Sequence, residues 1–273
     1  MAAEALVREL TVDLQRARGR QVLYLEGETD IDPFFALCGV PSPIDGLRGD
    51  VLVKALTGVK EVRRRIELAE KTQGLRGHFA GIIDGDGRPL ADLRREFVGP
   101  WAGPLFSWPA YNIESLMVRT AWPAAWGSQP AWHEELPLYS GFVALAGLHR
   151  YLQQALESVR LARLERPGVD RIETADEIAE ALERDRHLLL GGDELVTRFR
   201  REAEVFVAMA RPDYTEALAA LDGKWLFRRE SWRRKIAAEE CRRQWTEAVR
   251  EAGGLGEVKD LWWRITERQS IRR

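Results

Sequence analysis

Residues 22–35 read VLYLEGETDIDPFF. Val22-Leu23-Tyr24-Leu25 is a short apolar run that stops at a turn, the pattern of a buried strand. Glu26-Gly27-Glu28-Thr29-Asp30 follows, and Ile31, Phe34 and Phe35 then resume the apolar pattern at helical spacing, with Thr29 placed to cap the helix. A turn needs the glycine, but it does not need three carboxylates. In an open parallel sheet, ligands bind beyond the carboxyl ends of the strands, so acids at a strand end point to a site.

The same grammar repeats downstream. A helix is expected over 4–18, strands over 21–25, 51–56, 78–84 and 104–108, and helices over 30–38, 58–71 and 89–97 and from 112 onward. VPSPIDGLRGD (40–50) reads as loop. Strand and helix alternating through about 120 residues predict an α/β fold, a parallel sheet flanked by helices. Beyond Pro123 the pattern becomes helical, with helices expected over 141–164, 174–187, 193–210, 213–221, 224–237, 239–252 and 257–268. The expected division is a sheet-bearing domain over 1–120 and a mostly α-helical region over 121–273.

Asp84 and Asp86 close the third strand as DGDG, with Gly85 and Gly87 around them. Two acidic stretches, EGETD and DGD, should therefore meet at one sheet edge. Carboxylates crowded together repel unless they are protonated or bridged by a cation. A hard divalent ion with oxygen ligands, Mg²⁺ or Mn²⁺, is the expected bridge. Asp84 and Asp86 also suit simple turn capping, since Asp-Gly is common turn chemistry. Other candidates are weaker. His133-Glu134-Glu135 fails the zinc-helix pattern because residue 137 is Pro. Leu56-Thr57-Gly58-Val59-Lys60 places glycine and lysine where a helix begins, suited to one phosphate.

Composition sets the wider limits. The 273 residues are 45% apolar and 31% charged, with a net charge of −2, which is globular composition. No apolar run approaches a membrane span, and the charged N-terminal stretch lacks the apolar core of a secretory signal. Cys38 and Cys241 stand far apart and suit a reducing cytoplasm. From Lys224 to Arg273 there are 14 Lys/Arg against 8 Asp/Glu, together with five of the ten tryptophans. Bases interleaved with aromatics fit a nucleic-acid surface; the favoured reading of the tail alone is an amphipathic helix pair with core tryptophans and solvated arginines. KEVRRR (60–65) carries the same ambiguity.

A strand ending Glu-Gly-x-x-Asp, followed by a strand ending Asp-x-Asp, resembles the Toprim domain of topoisomerases, bacterial primases and OLD-family nucleases. The resemblance covers about residues 20–118. YNIESLM (111–117) and DGKWLF (222–227) are similar to the Toprim nucleases of PARIS-type anti-phage systems, which work beside an ABC-type ATPase. The resemblance implies a catalytic set of Glu26, Asp84, Asp86 and Lys224. It implies metal ligands at Glu26, Asp30, Asp84 and Asp86, with Glu114 supplying a further acid. Many Toprim domains carry a third acid where this chain has Arg88.

The expected function is a Mg²⁺- or Mn²⁺-dependent endonuclease, a hydrolase cleaving phosphodiester bonds in DNA or RNA, including tRNA. It is expected in the cytoplasm, off the membrane, as an antiviral toxin held by a partner ATPase and able to form a homodimer. The alternative is a non-catalytic Toprim scaffold that regulates or binds a partner. Neither a primase basin nor a topoisomerase tyrosine context is visible.

Overall fold

The computed structural model describes residues 2–43, 46–49, 51–86, 88, 90–98, 103–126, 140, 179–180, 183, 192–210 and 218–267. The helix expected over 141–164, most of those over 174–187 and 213–221, and the His133 segment lie outside these residues.

The chain opens with α1 (Ala2–Arg16), β1 (Gln21–Leu25), a short 3-10 turn (Glu28–Asp30) and α2 (Ile31–Leu37). β2 (Leu47–Arg48), β3 (Val51–Ala55), α3 (Val59–Lys71), β4 (Phe79–Ile83), α4 (Leu90–Val98) and β5 (Leu105–Ser107) follow. The sheet order is β2-β3-β1-β4-β5. β3, β1, β4 and β5 run parallel, and β2 is antiparallel at the edge. The expected α/β architecture is therefore present. β2, read as loop, is the addition. Its register is held by the Val53 N–H donating to the Gly46 carbonyl at 2.8 Å. Gly46 has φ +72°, and a Cβ there would lie 2.3 Å from the Val53 oxygen, so glycine is required.

Every residue of β1 and β4 is buried, as expected of strands covered on both faces. Val22 and Tyr24 of β1 join Leu10 of α1, Val62 and Ile66 of α3, and Phe79 of β4 in one core. A charged network crosses this core. Asp13, almost wholly buried, accepts from the Tyr24 hydroxyl at 2.8 Å and from Lys54 Nζ at 2.9 Å. Arg65 lies over the Tyr24 ring and pairs with Glu9 and Glu61. Burial and the Asp13 carboxylate both push the Tyr24 phenol far above its ordinary range, so it stays a donor.

A second apolar group gathers aromatics. Phe34 of α2 packs on Phe35, Trp108 and Trp262, and Phe35 also meets Trp262. Trp262 comes from α9 (Gly256–Glu267), and the Leu255 N–H ahead of it donates to the Leu37 carbonyl at 2.8 Å.

The chain forms two compact units. The first holds Met1–Gly85, Ala91–Pro109 and Thr246–Arg273; the second holds Asp86–Leu90 and Ala110–Trp245. The sequence reading ends the sheet domain at residue 120, whereas here the last 28 residues belong with the sheet because Trp262 seats on Phe34 and Phe35. The second unit contains α5 (Ile113–Trp126), α6 (Gly192–Ala210) and α7 (Gly223–Arg234), and α8 (Ala238–Glu251) begins in it. Among the described residues, no helix is long and apolar enough to cross a membrane.

Gly81 shows how closely β4 and α3 approach. A Cβ there would lie 2.6 Å from Val62 Cγ1 and 3.2 Å from both Ile66 Cγ1 and Leu105 Cδ1. Gly81→Ala should cost about 1–3 kcal/mol through overpacking, read as a lower denaturant midpoint for the sheet-bearing unit.

Candidate functional site

In the sheet-bearing unit, Glu26 directly follows β1 and Asp84 directly follows β4. β1 and β4 are parallel neighbours, so both acids emerge at the same edge. They are joined there: the Asp84 backbone N–H donates to Glu26 Oε1 at 2.7 Å. The Glu26 carbonyl accepts from the Gly58 N–H at 2.9 Å, extending the β1–β3 pairing to the start of α3. Glu26 is half-buried and Asp84 is buried.

Asp30 is also buried, and its Oδ2 accepts from the Gly27 N–H at 3.0 Å. It thereby holds the turn that carries Glu26 away from β1. His78 is structural: its Nδ1 lies 2.7 Å from the Arg20 carbonyl oxygen.

The second unit holds a separate polar assembly. Asn112, buried, is its hub. Its Oδ1 accepts from the Ser115 N–H at 3.0 Å and from the Gly223 N–H at 3.2 Å, while its Nδ2 donates to Asp222 Oδ1 at 2.9 Å. That same Asp222 oxygen accepts from the Lys224 N–H at 3.0 Å, capping α7. A Cβ on Gly223 would lie 2.4 Å from backbone atoms of Glu114 and Ser115, so the start of α7 is pressed directly onto the start of α5.

Asp86 belongs to this unit. Its N–H donates to the Tyr111 carbonyl at 3.0 Å, and the Tyr111 N–H donates to Ala219 at 2.8 Å. Asp86 holds φ +48°, a conformation that L residues rarely adopt and that Asp and Asn tolerate best. Although the residue has an exposed surface, crowding by neighbouring atoms raises its carboxyl pKa; Lys224 acts against that rise, and Asp222 adds to it. Lys224 and Asp86 thus feel one another.

Glu114 is wholly buried and is ion-paired with Arg242 of α8. Arg242 escaped the sequence reading because nothing local marks a partner 128 residues away. Among the described residues, no three His, Cys, Asp or Glu side chains group closely enough to hold a metal ion. In the basic tail, Trp245 stacks on Phe227 and Trp262 is a packing residue, as the amphipathic reading has it. Trp263, by contrast, is 58% exposed.

Compared with protein-family models, curated proteins and solved structures, the chain matches none.

Two outcomes follow from the second unit. Asn112→Ala strands the buried Ser115 amide and leaves the Gly223 amide with Ser115 Oγ, at 3.2 Å, as its acceptor. It should cost about 1–3 kcal/mol, seen in thermal melts of the full chain, the cost of one orphaned buried group.

Asp86→Asn tests the raised pKa. With a folded pKa above the unfolded one, the native state holds its proton more tightly. Stability therefore falls as pH rises from the ordinary aspartate range through the folded value. Without divalent ions, Asp86→Asn should melt higher than the wild type at neutral pH. The difference should vanish as pH drops below the ordinary aspartate range.

Proposed function

We propose that this chain is a Toprim-like, Mg²⁺-dependent nuclease that hydrolyses phosphodiester bonds. The observation carrying the proposal is the bond from the Asp84 N–H to Glu26 Oε1, which brings two strand-end acids together at the ligand-binding edge of a parallel sheet. The donors suit the ion. Glu26 and Asp84 are oxygen ligands, and Mg²⁺ is usually held by one or two carboxylates with water and substrate phosphate completing the shell. When bound, the ion supplies phosphoryl polarisation and an activated water.

The residues of the chain supply the rest. Glu26 is anchored through one oxygen, so its carboxylate has a set orientation. Asp30 maintains the turn behind it. The resemblance gives Asp86 and Lys224, both in the second unit, the roles of a further acid and of a cation for phosphate. Glu114, already matched by Arg242, serves as a buried counter-charge in this scheme. The resemblance adds a setting: an anti-phage effector acting on DNA or RNA under the control of a partner ATPase, with a homodimer as its assembly.

The test pairs two substitutions with tRNA, plasmid and linear DNA as substrates, under Mg²⁺, Mn²⁺ or chelator. Glu26→Gln keeps the acceptor for Asp84 and removes the charge. It should lower cleavage by about 10²–10⁴-fold with the melting temperature nearly unchanged. Glu26→Ala also removes the acceptor and should cost about 1–3 kcal/mol of stability. Full activity in Glu26→Gln, or no cleavage of any substrate by the wild type with either ion, would leave the non-catalytic partner-binding scaffold as the better account.

A further inference from the structure

The strand edge bearing Glu26 continues into α3, whose first N–H groups follow Gly58. Lys60, Arg63, Arg64, Glu67 and Lys71 of α3 are all exposed. Their spacing of three, four, seven and eleven residues from Lys60 aligns them as one stripe, about 16 Å long at 1.5 Å per residue. Four of the five are basic. Arg64 has Glu61 at 3.6 Å, whereas Lys60, Arg63 and Lys71 pair with no carboxylate among the described residues.

The fold buries one base of the helix. Arg65 turns inward to Glu9, Glu61 and Tyr24. Of the outward bases, Lys71 suits the last turn of the helix, but those at its start work against it. Lys60 sits in its first turn, where the helix dipole disfavours a cation, and it repels Arg63 and Arg64 at i+3 and i+4. Glu61 and Glu67 offset part of that charge, and a polyanion outside the fold would offset the rest.

We propose that the exposed stripe of α3 is a docking track for a nucleic-acid backbone, leading polyphosphate to the Glu26 edge of the sheet. The inference rests on the nuclease reading for its direction, but binding can be measured without cleavage. The stripe makes phosphate contacts and reads no base, so it takes DNA and RNA by charge.

The experiment uses the full chain carrying Glu26→Gln, so that binding is read without turnover. Fluorescence anisotropy measures its affinity for a labelled single strand, a duplex and a tRNA between about 50 and 200 mM salt. Lys60→Gln, Arg63→Gln, Arg64→Gln and Lys71→Gln are combined, and thermal melting confirms folding. A second variant, Arg8→Gln with Arg16→Gln, removes exposed bases from α1 of the same unit as a control. The expected result is at least a tenfold loss of affinity and a salt slope shallower by about two to three units in the α3 variant, since each phosphate contact contributes about 0.7–0.9. The α1 variant should bind like its parent.

Equal affinity and slope in the α3 variant would overturn the proposal, as would equal losses in both variants. So would loss of binding to anionic phospholipid vesicles while nucleic-acid binding stays intact. Loss of binding alongside an active Glu26→Gln enzyme would instead uphold the track and overturn the catalytic reading, so the two failures are separable.

Discussion

A single hydrogen bond from a main-chain amide to a carboxylate organises the ligand edge of the sheet. Asp84 sits where the chain leaves β4, and its N–H would otherwise face the mouth of the turn. Glu26, leaving the neighbouring strand, accepts it. A hydrogen bond to a charged acceptor in a partly buried place contributes about 1.5–3 kcal/mol. It also fixes direction, because a glutamate held through one oxygen loses most of its rotamer freedom. The bond requires β1 and β4 to be adjacent, parallel and in register, and beside them Gly81 lets α3 lie close against β4.

The sheet was legible because its signals are local. Strands and helices show their periodicity within ten residues, and the acids fall at the ends of two apolar runs. Parallel topology then brings Glu26 and Asp84 to one edge without further information. β2 was not legible: two residues among prolines and glycines have no period to detect, and only the antiparallel partner β3 defines them. The Asp13–Tyr24–Lys54 contacts were equally hidden. Asp13 looks like one more polar residue on an amphipathic helix until the fold buries it.

The second unit shows the same limit more strongly. Asn112 and Gly223 lie 111 residues apart, and neither has a property that predicts the other. What the chain does show in its sequence is the demand for glycine followed by a capped helix at Asp222-Gly223-Lys224. The structure adds the reason: α7 begins against bare backbone of α5, and one amide side chain bonds to both. Asp30 and Glu114, singled out as acids, each have a bonding partner that supports the fold. Asp30 holds a turn and Glu114 neutralises Arg242.

The return of the C-terminal segment to the sheet has a consequence for synthesis. The ribosome releases β1 to β5 and α2 early, but the indole that covers Phe34 and Phe35 is at position 262. For most of translation the nascent sheet lacks that cover, and apolar surface of this kind attracts chaperones and other nascent chains. The contact that completes it spans more than two hundred residues, which makes it slow to form as well as late. Dividing the gene after residue 120 would therefore yield a sheet with an open aromatic patch.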